Sequence, residues 1–404
     1  MTAEPWADLV SPRVGVIRAL RPQVRGSAEP EPPHLWTATL ANYDYLVARR
    51  SERVTAGKGR TEAAAKAAAV GEALERYCAS LPQPMFSAVA ADLENAITPT
   101  ECVLYADEQY ARDDWPYPPW DEREPLAWLR GSRVLGGVAV AVPAALVMLV
   151  APTALVQMTT NGLAAGPDLP SAVRSGLCEL IERDALMIAW MNRRPAVEIA
   201  LETGIAAALH RHHAALGVEL RAFVLPTDLP ATVVLALALD DTPGRAATVL
   251  AMGCHPTPAT ALEKALFELC QARPAENARF RDRPPAGRLT RPEDVRLLDD
   301  HSAYAALPEQ REQFAFLWRG GERASITDFE GHSDVLEDCA QALADLGYPP
   351  VYVELTTPDV RPSGYRIVRV LASGLQPIHF GFGQERLGGT RLGPELNPCP
   401  HPLA

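Results

Sequence analysis

The pentad Glu-x-x-Glu-Arg occurs twice in this chain, at Glu72–Arg76 and at Glu179–Arg183. On a helix, residues three and four apart share a face, so each pentad presents two carboxylates with a guanidinium beside them. A third stretch, FELCQ, places Glu268 and Gln271 one turn apart. Oxygen ligands of this kind suit a hard cation such as Mg2+. Arginines suit phosphate oxygens. Together they are the group types that a Mg2+-nucleotide requires. A single pentad is ordinary on a solvated helix face, where such pairs contribute about 0.2–0.5 kcal/mol. Here the flanks (AAAVG, SGLC, ALMIAW) are apolar. A charge turned towards a core is unfavourable unless something binds it. The pattern leaves two readings open: solvated faces, or a metal and phosphate site shared by three helices.

Other residues carry less. HRHH (His210 to His213) puts only His210 and His213 on one helical face, and its Ala-rich neighbours imply a surface helix without metal. The seven cysteines include no Cys-x-x-Cys pair, against a cysteine zinc site or a thioredoxin-like motif. Cys78 and Cys178, beside the pentads, read as small core residues. The opening MTAEPWADLV has no signal-peptide pattern, and an odd cysteine count fits a reducing cytoplasm. The stretch DDWPYPPW reads either as a docking surface or as a self-packed insertion.

The elements that must position these groups follow from composition and periodicity. The chain has 404 residues, 48% hydrophobic and 22% charged, as expected of a protein with a large core. Its net charge of -12 argues against a nonspecific nucleic-acid binder. Val134 to Val156 carries no charge, but Gly136-Gly137, Pro143 and Pro152 divide it. That predicts two or three buried strands, not a membrane span. Residues 1–50 read as an irregular opening with a strand at Leu35 to Leu40. A helix is expected from Thr61, its N-cap, to about Ser80. Residues 98 to 130 read as a loop or insertion. A long helix begins near Leu169, and residues 205–252 read as one helix and three strands. A third long helix spans Pro258 to Arg273, followed by a polar, Pro-rich mobile crossing. A helix at Ser333 to Leu346, strands at Val351 to Leu355 and Tyr365 to Leu371, and a Pro-rich tail complete the chain. The fold class is α+β, with mixed or antiparallel sheets around buried long helices. The expected division is a segment at 1–50 and a catalytic unit at 51–404.

In order and spacing these motifs resemble the YcaO family, and within it the azoline-forming cyclodehydratases. SPRVGVIRAL resembles their opening. GKGRTEAAAKAAAVGEALERY, NGLAAG with GLCELIERDA, and ALEKALFELCQAR resemble the three site helices, and LASGLQPIHFG and PCPHP the end of the chain. The resemblance implies a YcaO-type fold that binds ATP and Mg2+ between the helices. Glu72, Glu75, Glu179, Glu182, Glu268 and Gln271 would hold Mg2+ or its shell. Arg76 and Arg183 would bind phosphates, with Lys58 in a Gly-Lys-Gly turn that lacks Walker spacing. The family often has Ser where this chain has Ala69, which removes one hydroxyl.

The implied activity is ATP-dependent conversion of Cys, Ser or Thr in a ribosomally made precursor peptide to an azoline. Peptide thioamide or amidine formation, or a non-catalytic scaffold, are the alternatives. In the family the proline-spaced end reaches towards the active site, and Pro398, Pro400 and Pro402 match it. Such a tail is stiff and extended, with few contacts and little expected effect on stability. His401 within it could move a proton, although packing is its expected role. No adenylating or zinc-ribbon domain is recognisable before the pentads. The expected partners are therefore the precursor, a separate leader-peptide-binding protein and a second copy in a homodimer, with no nucleic acid and no membrane.

Overall fold

The computed structural model describes residues 4–24, 29–47, 53–332 and 335–403. Strands β1 (Ile17–Pro22), β2 (His34–Leu40) and β3 (Val54–Gly59) form an antiparallel sheet in that order, with a single turn, α1 (Asp44–Val47), before β3. Helix α2 (Glu62–Ser80) follows at once and packs back on this sheet. Its start is set by Thr61, whose hydroxyl accepts from the Ala64 amide at 3.2 Å. Ala65, Ala69 and Ala73 form a smooth buried stripe. Gly57 lies against that stripe, and a Cβ there would come within 2.1 Å of the Ala69 amide nitrogen. The Gly-Lys-Gly segment is therefore not a turn, as the sequence implied. It is a strand whose glycines admit the helix and whose alternation turns Lys58 the other way.

The next elements are β4 (Phe86–Ala88), the single turn α3 (Asp107–Tyr110), β5 (Leu126–Arg133), β6 (Ala139–Pro143), the single turn α4 (Ala144–Val147) and β7 (Leu163–Gly166). Helix α5 (Leu169–Met191) is buried on nearly all sides, and Asp168 caps it by accepting from the Ser171 amide at 2.8 Å. Then come β8 (Val197–Ile199), α6 (Gly204–Ala215), β9 (Val218–Leu225), β10 (Thr232–Asp240), β11 (Thr248–His255) and α7 (Pro258–Asp282). Helix α8 (Leu298–Ala305), β12 (Arg323–Ala324), α9 (Val335–Asp345), β13 (Val351–Glu354) and β14 (Arg366–Leu371) end the regular structure.

Two further sheets form, in the orders β4-β5-β13-β14-β7, with β6 also on β5, and β11-β10-β9-β8-β12. All pairings are antiparallel except β12 with β8. Every residue of β10 is buried, as a central strand requires. The α+β class with mixed and antiparallel sheets is therefore as expected.

Several local expectations change. Val134–Val156 holds one strand, β6, and one helical turn, α4. Gly136 and Gly137, at φ 74° and 64°, turn the chain from β5 into β6. Beyond α4, Leu155 and Val156 pack beside Trp128 and Tyr105 without pairing as a strand. Among the described residues no helix is long and apolar enough to cross a membrane.

The third long helix passes Arg273 and continues through Pro274 to Asp282. Proline in a helix interior costs about 3 kcal/mol. Tertiary contacts outweigh it: Asn277 Oδ1 accepts from the Ala246 amide at 3.0 Å, and Glu276 accepts from the Ser302 hydroxyl at 3.2 Å. The segment expected to be a mobile crossing thus begins as helix. The opening segment is less irregular than expected, since it supplies β1. His213 is buried, with Nδ1 2.8 Å from the Leu209 carbonyl, while His210 is exposed, so the two share no site. DDWPYPPW is self-packed: Tyr117 stacks on Tyr105 at 5.2 Å, and Trp115 meets Tyr105 edge-on at 4.7 Å.

The glycine contact between β3 and α2 carries a direct test. Gly57→Ala should lower unfolding stability by about 1–3 kcal/mol, the range for overpacking. Urea denaturation against the parent protein measures it.

Candidate functional site

Helices α2, α5 and α7 meet around one cleft of about 680 Å3. The α2 pentad contributes Glu72, Glu75 and Arg76, α5 contributes Glu179 and Arg183, and α7 contributes Glu268 and Gln271; Lys58 reaches the same cleft from β3. Glu182 lines an adjoining cavity of about 130 Å3 together with Arg183, Glu268 and Pro402. The charged residues picked out by spacing alone therefore converge.

Each pentad is held by short local contacts. Arg76 donates to Glu72 Oε1 at 2.8 Å, and Glu72 Oε2 accepts from the Ala56 amide of β3 at 3.3 Å. Glu75 accepts from the Ala165 amide of β7 at 2.7 Å. Arg183 lies 3.0 Å from Glu182 and 3.7 Å from Glu179. Lys58 forms an ion pair with Glu268, and burial pushes its ammonium down to about 8. Burial, then repulsion from Glu72, raises the Glu75 carboxyl well above the usual range. Burial pushes Glu179 up to about 7, opposed by Arg183.

These shifts record a cleft crowded with carboxylates that a cation would relieve. The donor set is oxygen throughout, and the buried Gln271 Oε1 has no partner. Among the described residues, no three His, Cys, Asp or Glu side chains form a ready metal cage. That suits Mg2+, which keeps several waters and takes ligands from phosphates rather than from an all-protein cage. The residues present fit Mg2+ with a nucleotide.

Other lining residues were not singled out from the sequence: Thr159, Thr160 and Asn161 before β7, and Ile378 and Phe380 near the end. The NGLAAG motif by itself does not show that Asn161 and Gly162 come to lie beneath α5. Gly162 has φ 80°, and a Cβ there would come within 2.3 Å of the Val370 carbonyl. Ala69 lies outside the cleft, buried beneath β3, with Thr55 donating to its carbonyl at 3.1 Å.

The tail departs most from expectation. Instead of making few contacts, it threads into the core. Asn397 donates to the Met191 carbonyl at 2.7 Å, and the Trp190 indole donates to the Cys399 carbonyl at 2.8 Å. His401 is fully buried and stacks on His301 at 4.1 Å. Its Nε2 donates to the His379 carbonyl at 2.6 Å, and His301 Nδ1 donates to the His401 carbonyl at 2.8 Å. Pro398 is exposed and Pro400 is buried; neither they nor His401 lines the cleft. Pro402 lines the adjoining cavity, and Leu403 lines both spaces.

Comparison with known proteins assigns the arrangement to a class. Residues 56–376 match the family described as YcaO cyclodehydratase, ATP- and Mg2+-binding. The chain belongs to the YcaO family. An uncharacterised protein of Methanothermobacter thermautotrophicus is 30% identical over 83% of this chain and 84% of its own. A heterocyclase solved with substrate and cofactor superposes with a TM-score of 0.78 at 21% identity, covering 98% of this chain. This chain spans 56% of that heterocyclase's length. YcaO from Methanopyrus kandleri, bound with AMPPCP and Mg2+, superposes with a TM-score of 0.66 at 22% identity, covering 89% of this chain and 86% of its own. The E. coli microcin synthetase McbBCD complex gives 0.63 at 15% identity, covering 89% and 88%. These likenesses show a shared fold. ATP and Mg2+ are the cofactors that the family binds.

The histidine clamp on the tail predicts a pH dependence. Burial lowers His301 from 6.5 to about 4 and holds His401 well below its ordinary range. Both are neutral when folded, so the unfolded chain binds more protons below pH 6.5. Their stabilising effect is full above that pH and is lost progressively as pH falls towards 4. Thermal melts from pH 8 to pH 5 should show falling Tm. His401→Gln should melt lower at pH 8 and show a shallower acid slope.

Proposed function

We propose that this protein is an ATP- and Mg2+-dependent peptide cyclodehydratase acting on Cys, Ser or Thr of a ribosomally made precursor. The observation that carries this reading is the meeting of three charged helix faces across one cleft that Leu403 also lines, with Pro402 in the adjoining cavity. Glu72, Glu75, Glu179, Glu182, Glu268 and Gln271 would hold Mg2+ and its water shell. Arg76, Arg183 and Lys58 would meet phosphate oxygens. The bound cation supplies charge neutralisation for phosphoryl transfer.

The chemistry follows from the weakness of an amide as an electrophile. The peptide thiol or hydroxyl adds to the preceding carbonyl carbon and gives up its proton. The adduct oxygen takes the γ-phosphoryl group, and ADP leaves. Loss of the amide proton and of phosphate then forms the ring C=N bond, so each ring costs the peptide one water. The enzyme's work is positioning and charge stabilisation. The tail would wall the peptide side of the cleft through Leu403, with Pro402 behind it in the adjoining cavity. His401, whose Nε2 is committed to the His379 carbonyl, would hold that wall in place and move no proton.

The proposed catalytic unit is residues 51–404, with β1 and β2 completing the sheet that carries Lys58. We place the protein in a reducing cytoplasm as a homodimer, with a separate protein presenting the precursor leader. The two microcin and heterocyclase relatives, described respectively as a complex and as substrate-bound, support partner and peptide binding.

Glu75→Gln and Glu179→Gln should fold and lose about 100-fold or more in ATP turnover. Mass spectrometry of precursor incubated with protein, partner and ATP should show loss of one water per ring. Replacement of oxygen by sulfur would instead indicate thioamide formation. Parental turnover in both variants would remove the site. Deleting Pro398 to Ala404 should lower Tm as well as ring formation, so the two losses must be measured together.

A further inference from the structure

A second cavity opens behind the cleft and shares Met158, Thr159 and Asn161 with its wall. Its free volume is about 60 Å3, against about 10–15 Å3 needed by one water. Two guanidinium groups line it, Arg369 from β14 and Arg386 from the segment that follows. Among the described residues, no aspartate or glutamate lines it. Arg369 is 4% exposed, and its Nε and Nη1 have no partner. Arg386 gives Nη2 to the Gln157 carbonyl at 2.9 Å. Asn161 is 7% exposed, and its Oδ1 has no partner. Ser373 completes the polar lining.

Enclosing a cation costs several kcal/mol unless it is compensated. Burial pushes Arg369 down to about 10, and Glu179 in the neighbouring cleft is the acid that opposes this shift. The lining offers Arg369 no acid of its own, and the cavity beside its guanidinium group has room for more than one water. An anion supplies the missing acceptors. Asn161 ties the cavity to the proposed reaction. Its side-chain amide stands in the wall shared with the nucleotide cleft, beside the route a released phosphate would take.

We infer that this cavity is a phosphate-binding site, built to receive the inorganic phosphate released when the ring closes. That the cavity takes an anion follows from its lining; that the anion is released phosphate rests on the proposed reaction. The same chemistry has a second source, the γ-phosphoryl group of ATP. Occupation by product phosphate would draw it from the cleft through the Thr159 and Asn161 wall and hinder its return to the adduct.

The test is calorimetric titration of inorganic phosphate into the full-length protein without precursor. One arm is saturated with Mg2+ and ADP, the other with Mg2+ and AMPPCP. Binding in both arms identifies a pocket for released phosphate. Binding in the ADP arm alone assigns the cavity to the γ-phosphoryl group and overturns the product assignment. Binding in neither arm overturns the site. Arg369→Met should weaken phosphate at least ten-fold, with partial recovery in Arg369→Lys. Ser373→Asp, which brings a carboxylate to the guanidinium groups, should abolish phosphate binding without lowering Tm. Unchanged phosphate affinity in Ser373→Asp and Arg369→Met overturns the inference. Phosphate binding in a protein that forms no rings would sink the proposed reaction and leave this site standing.

Discussion

The enclosure of like charges governs this structure. Glu72, Glu75, Glu179 and Glu268 converge on one cleft, and burial and mutual repulsion raise the Glu75 and Glu179 carboxyls above the usual range. Lys58 and Arg183 offset part of that charge. A packed core gains nothing from such a gathering, because each desolvated carboxylate is unfavourable until a cation compensates it. The cost makes sense as the preparation of a cation and phosphate site whose ligands need not reorganise when it fills.

Holding the charges this close requires close backbone approach. Gly57 lets α2 lie on β3, which brings Glu72 within reach of the Ala56 amide and leaves Lys58 to point at α7. Gly162, at φ 80° and against the Val370 carbonyl, brings the start of β7 beneath α5. Strand amides therefore serve two of the helix carboxylates: Ala56 for Glu72 and Ala165 for Glu75. Each is directional and fixes a carboxylate rotamer without adding charge.

The chain end is part of this construction. Its last residues reach the cleft because Asn397, Cys399 and His401 anchor them to α5 and to the segment around His379. The interlocked imidazoles use carbonyls and ring nitrogens of three separate segments. The wall of the cleft and the stability of the core are coupled there, so a change in the tail acts on both.

The sequence by itself determined the three charged helix faces. Glu-x-x-Glu-Arg needs only the period of an α-helix to become a patch, and Thr61 marks the start of α2 without outside help. Its apolar flanks also implied that the patches were enclosed. Tertiary structure decided what local pattern cannot encode. The Gly-Lys-Gly segment became a strand because a helix lies against it, and α7 ran through Pro274 because Asn277 and Glu276 found partners. The proline-spaced tail looked free because prolines and a lone histidine carry no periodic signal. It is buried because His301 and His379, distant in sequence, close around it. Arg369 likewise reads as one basic residue in an apolar strand, and only the assembled fold places it beside Arg386 in the lining of a cavity.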